Sequence, residues 1–307
     1  MKQRIAGPLR LPKTNRNIPE PDIAGSGRLP TPGEHKLPGW RPSLLGAIPL
    51  PLFIGLITVF DIILPPAAQL GSGLRFEPAY LNAILYTVFV SITSFLVAYI
   101  SLKSYLQTGF AVLLLLGSAS LALGSTSILG TWLANLPGQL NAGITIVNTG
   151  GLFASIFHFA GGSTTSTSTS IENAPRVRKP LSIAAYVGVL SFTTLLTIAS
   201  LDGIIPLFFV LGVGQTPLRM AVLGSSAALF AVSSVLFARL CFSSKSDTLY
   251  WYFLALGMTS MGTLAIFFGR APGDPISWTG RTAQFLGGIY FLRAVLTAFR
   301  RPHPSSS

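Results

Sequence analysis

The sequence predicts an all-α integral membrane protein, a bundle of about eight transmembrane helices with both termini in the cytoplasm. Three observations predict it. Half of the 307 residues are hydrophobic and only 10% are charged, with a mean hydropathy of +0.61, a balance that cannot cover a soluble domain with polar surface. Long apolar segments follow one another from Leu44 onward. Basic residues alternate in density between the connections, as the positive-inside rule requires.

The segments reach the length of about 20 helical residues that crosses a bilayer. They cover approximately 44–64, 79–102, 110–134, 141–161, 181–201, 220–242, 249–269 and 278–299. "GIIPLFFVLGVG" (203–214) is apolar but too short to span, so it belongs at the interface or partway into the membrane. With the N-terminus inside, the inner side carries 17 Lys and Arg. The outer side carries Arg75, Arg219, Arg270 and Arg281. That asymmetry selects an even number of spans.

Around this bundle (44–299) lie two tails and one long connection. Residues 1–43 are rich in Pro and Gly, hold eight Lys and Arg, and show no helical or strand period, which predicts a disordered basic tail. Their apolar content is too low and too late for a secretory signal, and their prolines oppose an amphipathic transit helix. The plasma membrane is therefore the expected location, with an organellar membrane as the alternative. The stretch 162–180, "GSTTSTSTSIENAPRVRKP", predicts a flexible cytoplasmic loop, and 300–307 a short basic C-terminal tail.

Composition also removes function classes. The net charge of +12 is spread over loops and helix ends and forms no aromatic-interleaved basic face, so nucleic acid is not the expected partner. The lipid bilayer is. A single cysteine, Cys241, excludes an intrachain disulfide and a cysteine metal site. No His-x-x-x-His pair, Gly-x-Ser-x-Gly elbow or Walker loop occurs. No metal, cofactor or catalytic residue is expected, and the chain is not read as an enzyme. His35 and His303 lie in the tails. His158 is expected to snorkel or to cap carbonyls near the inner end of the fourth span.

The polar residues at membrane depth carry the remaining signal, because such groups are costly in lipid and turn toward partners. Trp278, Arg281, Gln284 and Phe285 share one face of the last helix by their spacing. Gly280, Ala283 and Gly287 offer small residues for helix packing. Asn148 enters the outer half of the fourth span. Asp61, Asp202 and Asp274, with Glu77, lie at the same outer level. The expected cluster is Arg281, Gln284, Trp278, Asn148, Asp202 and Asp61, either lining an outer pocket or serving only as structure. The carboxylate expected to pair with Arg281 is Asp202, then Asp61, then Asp274.

Three stretches carry a resemblance: "VAYISLKSYLQTGFAVLLLLGSASLALGSTS", "NAGITIVNTGGLFASIFHFAGG" and "GDPISWTGRTAQFLGGIYFLRAV". Their pattern, most specifically Trp278, Gly280, Arg281, Gln284, Gly287, Gly288 and Tyr290, with Asn148 and His158, resembles the N-terminal multi-helix membrane-associated sensor regions of bacterial and archaeal sensor histidine kinases. The resemblance implies a sensory or ligand-binding role passed to a cytoplasmic signalling protein or to a second copy of the chain. Kinase modules follow that region in the family and are absent here, so the expectation is a stand-alone unit. A small-molecule or ion transporter or channel is the alternative.

Overall fold

The computed structural model describes residues 43–65, 72–166, 172–210 and 213–299. The tails 1–42 and 300–307, and the centre of the expected 162–180 loop, lie outside the described residues. Eight helices of at least 20 residues account for most of the rest: α1 (Leu44–Ile63, with a turn at Ile48), α2 (Leu81–Thr108), α3 (Ala111–Leu133), α4 (Leu140–Ser166), α5 (Pro175–Leu201), α6 (Pro217–Ser244), α7 (Asp247–Phe268) and α8 (Pro275–Phe299). The first seven are long and apolar enough to cross a membrane. The eighth is of similar length, but Arg281, Gln284 and Arg293 dilute its apolar content.

Local chemistry explains the helix ends. Pro175, Pro217 and Pro275 each sit in the first helical positions, where a missing N–H costs nothing. Thr216 and Ser246 accept backbone N–H bonds from Arg219 and Leu249 as N-caps. At the end of α2, Gly109 takes the left-handed conformation (φ 82°) that closes the last turn. These signals correct the expected loop 162–180: helix α4 runs on to Ser166 and α5 already starts at Pro175. Beside it, Asn173 N donates to Gly109 O at 2.9 Å. Arg178 latches the same corner through Asn173 O, Gln107 O and Glu172. Residues 172–178 are thereby tied to the end of α2, where composition suggested only solvated polar chain.

Six helices close into a ring. Around it, α2 packs on α3, α3 on α4, α4 on α6, α6 on α7, α7 on α8, and α8 returns to α2. Helices α1 and α5 stand outside, α1 against α7 and α8, α5 against α2, α3 and α4. They are the least buried of the seven apolar spans and leave Ile62, Ile54, Leu195 and Val187 exposed, as lipid-facing residues should be.

Small residues set the closest approaches in the ring. A Cβ on Gly262 of α7 would lie 2.6 Å from Gly280 O of α8, and one on Gly280 would lie 2.6 Å from Gly262 O. Gly130 of α3 and Gly143 of α4 make the matching contact across the ring, with a Cβ at Gly130 2.7 Å from Gly143 O. Gly288 faces Phe89 O directly. At that level α2 widens into a π turn, Thr87–Ser91, a local rewinding that recurs beside functional sites.

The segment 203–214 does not dip into the ring as a re-entrant helix. In its described residues β1 (Phe209–Val210) pairs antiparallel with β2 (Gly214–Gln215). The backbone N–H groups of Phe208 and Phe209 both donate to Asn141 Oδ1 at the start of α4. Gln215 Nε2 donates to three carbonyls at the end of α7. The two phenylalanines are thereby buried over the ring's mouth.

Candidate functional site

The polar residues of that mouth are sorted into pairs. Arg281, 9% exposed, donates from Nη1 to Glu77 Oε2 at 2.7 Å and lies over the Trp278 ring. This corrects the expected partners Asp202, Asp61 and Asp274. Asp61 pairs with Arg270 at 2.7 Å. Asp274 is fully buried as the N-cap of α8, accepting from the backbone of Arg270, Ala271 and Ser277. Asp202 sits exposed in the turn after α5 and has no part in the cluster.

Glu77 is the partner for a reason of chain path. Phe76 N donates to Gly273 O, and Trp278 Nε1 donates back to Phe76 O. This strap holds the segment before α2 against the first turn of α8 and so sets Glu77 opposite Arg281. Position alone placed Glu77 at the right depth. Which acid lay nearest depended on the ring, since α8 packs on α2 and has no such contact with α5.

The face of α8 identified by spacing meets α2 and the segment before it. Tyr86 donates its hydroxyl to Gln284 Oε1, and Phe285 packs edge-on against Tyr86 and beside Phe89. Gln284 Nε2 reaches Thr263 of α7 at 3.4 Å. Trp278 and Phe285 are thus packing residues, while Arg281 and Gln284 also border open space.

That space lies on the ring axis in two compartments. The outer one, of about 100 Å³, has Glu77, Asn82, Asn148, Arg219 and Arg281 in its wall, with Phe209 of β1. The inner one, about 40 Å³, is bordered by Gln284, Thr263, Ser226, Ser127 and Asn148. Tyr86, Val147, Asn148 and Ile266 stand between them, lining both. All six ring helices contribute to the walls, and neither α1 nor α5 does.

Besides Glu77, two residues matter here that sequence reasoning did not put in the cluster. Arg219, in the first turn of α6, is 8% exposed. It lies 5.5 Å from the Phe209 ring centroid, and its Nε has no hydrogen-bond partner. Asn82 has a buried, unpartnered Oδ1. Asn148 was expected, and its Nδ2 is likewise buried without a partner. The signal for Arg219 was present as an arginine at the start of an apolar span, yet the same pattern describes an ordinary interfacial anchor.

Below the inner compartment the ring is shut by aromatic side chains. Phe230 and Phe291 form its floor and flank the ring of His158 with centroids 5.7 and 6.0 Å away. His158 is wholly buried and its Nδ1 shares a 2.8 Å hydrogen bond with Tyr252, so it neither snorkels nor caps a helix. Among the described residues no group of His, Cys, Asp and Glu is arranged to hold a metal. Cys241 is buried and free.

Fold and cavity together define the class: a helical, multi-span membrane protein built as a six-helix ring around an axial cavity with charged and amide side chains in its wall. Comparison with protein families, curated proteins and solved structures finds no match for the chain.

Proposed function

We propose that this protein is a membrane receptor of the sensory class, which admits a small ligand to the axial cavity from the outer side and passes its occupancy on through helix packing. The observation that carries the reading is the axial cavity lined from all six ring helices, since a ligand there touches every interface of the ring at once. Packed helix interfaces of this kind switch between discrete arrangements, which is how occupancy is transmitted. The receiving partner is a cytoplasmic signalling protein or a second copy of the chain. In this reading all eight helices span, both ends of the chain face the cytoplasm, and the Glu77 mouth faces out. The 17-to-4 distribution of basic residues supports that orientation.

Transport is the second reading, favoured by the stacking of two compartments along one axis. The aromatic floor around His158 opposes it. One labelling experiment separates the two. In a Cys241→Ala background, Asn148→Cys in right-side-out vesicles should react with a small impermeant maleimide added outside and resist the same reagent inside. Reaction from both sides would mean alternating access and turn the conclusion to transport. Reaction from neither side, in folded protein, would remove the open cavity and overturn both.

A further inference from the structure

We infer that the outer compartment binds an oxyanion, a carboxylate or phosphate group, between Arg219 and Arg281. The inference rests on the proposed ligand-binding reading and names the chemistry of the ligand.

The argument is an account of hydrogen-bonding capacity. The acids of this mouth are committed. Glu77 is held by Arg281, Asp61 by Arg270, and Asp274 by three backbone N–H groups. Thr131 and Ser277, also in the wall, spend their hydroxyl protons on Ser127 O and Ala271 O. What stays uncommitted is mainly donor. Arg219 forms no ion pair among the described residues and its Nε has no acceptor, and Asn148 Nδ2 has none either. Arg281 gives one Nη1 bond to Glu77 and keeps the rest of its fork. Among the described residues, the one buried acceptor in the wall without a donor is Asn82 Oδ1.

A buried guanidinium Nε without an acceptor is a standing cost, because that donor leaves water and gains nothing. The group's planar fork is shaped for two oxygens of one carboxylate or phosphate. Two guanidinium groups face one compartment, and the carboxylates near them are already engaged, Glu77 by Arg281 and Asp274 by backbone N–H groups, so a cationic guest is disfavoured. The occupant that satisfies the wall carries an oxyanion toward Arg219 and Arg281 and a hydroxyl toward Asn82. The compartment is small, so the guest is a compact hydroxy acid, inorganic phosphate, or the phosphate head of a lipid entering from the side.

The test uses the whole chain in phosphatidylcholine nanodiscs, with thermal unfolding read against lactate, inorganic phosphate and, as a salt control, chloride. A parallel set contains phosphatidic acid. At least one free oxyanion should raise the unfolding temperature saturably where chloride does not. A rise confined to the phosphatidic acid discs would assign the same site to a lipid phosphate. Arg219→Gln should weaken the effect by about 10–100-fold, the loss of one charged hydrogen-bonding group, and Arg219→Lys should restore part of it. Wild-type response in Arg219→Gln, or no response in either lipid, would overturn the inference.

A second measurement covers the case in which Arg219→Gln does not fold. In the Cys241→Ala background, Asn82→Cys should react about tenfold or more faster with an anionic methanethiosulfonate than with a cationic one, as a cavity of positive potential dictates. Equal rates would overturn the oxyanion and leave the ligand-binding reading standing. No reaction with either reagent would remove both.

Discussion

At the scale of single residues, Arg281 shows how depth and neighbourhood combine. Its guanidinium lies at a level where an unpaired charge is costly, yet it is neither stranded nor snorkelled, because Glu77, in the segment before α2, meets it at 2.7 Å. The Glu77 side chain is 38% exposed, so breaking the pair leaves an acid that still reaches water. Arg281→Leu should therefore destabilise the protein by about 1–3 kcal/mol, below the range for a fully buried pair. Denaturant unfolding in mild detergent measures it. Arg281→Lys should recover only part of the loss, since an ammonium keeps the charge and loses the fork. Glu77→Gln combined with Arg281→Leu should cost less than the two single changes added together, the signature of direct coupling. Strict additivity would show that the pair contributes nothing. Gln284→Leu removes the acceptor for a buried Tyr86 hydroxyl, so it should cost about 1–3 kcal/mol of its own.

At the scale of elements, backbone contact through glycine decides how the ring closes. Gly262 and Gly280 bring α7 and α8 together, and there is no room for a side chain on either. Gly280→Val should cost at least about 1–3 kcal/mol through overpacking. The check is unfolding of the purified variant beside Gly55→Val, whose glycine has open space around it and which should be close to neutral. The glycines and Ala283 were legible in the sequence as a packing face. Their partner was not, because spacing on one helix identifies a face and says nothing of which helix will lie against it. The same limit explains the polar face of α8. Its residues were found by helical period, yet its neighbour, the span beginning at Leu81, is far away in sequence.

At the scale of the whole molecule, the arrangement separates a ring from two outer helices. Reporter fusions after Ala174 should read cytoplasmic, and a fusion after Gly273 should read external. Agreement of both signs with a cytoplasmic report from Ser307 would establish that α8 spans. An external report from Ser307 would place the charged last helix on the surface, and with it overturn the axial cavity, because α8 supplies Arg281, Gln284, Gly288 and Phe291 to the walls.

What the sequence determined by itself is the class of object and the level of its polar groups. Apolar length and composition dictate helices that cross lipid, since backbone groups there must be satisfied within the segment, and these are local properties of each stretch. The polar cluster at one end was visible for the same reason: charge in an apolar run stands out wherever the helix lies. The tertiary structure alone decided which helices enclose the axis. It chose Glu77 over three other acids, brought Arg219 and Asn82 to the cavity, left Asp202 outside, and set His158 among aromatic rings. Those are contacts between residues tens to hundreds of positions apart. They depend on the order in which helices pack, and that order follows from matching whole surfaces, a property no single segment carries.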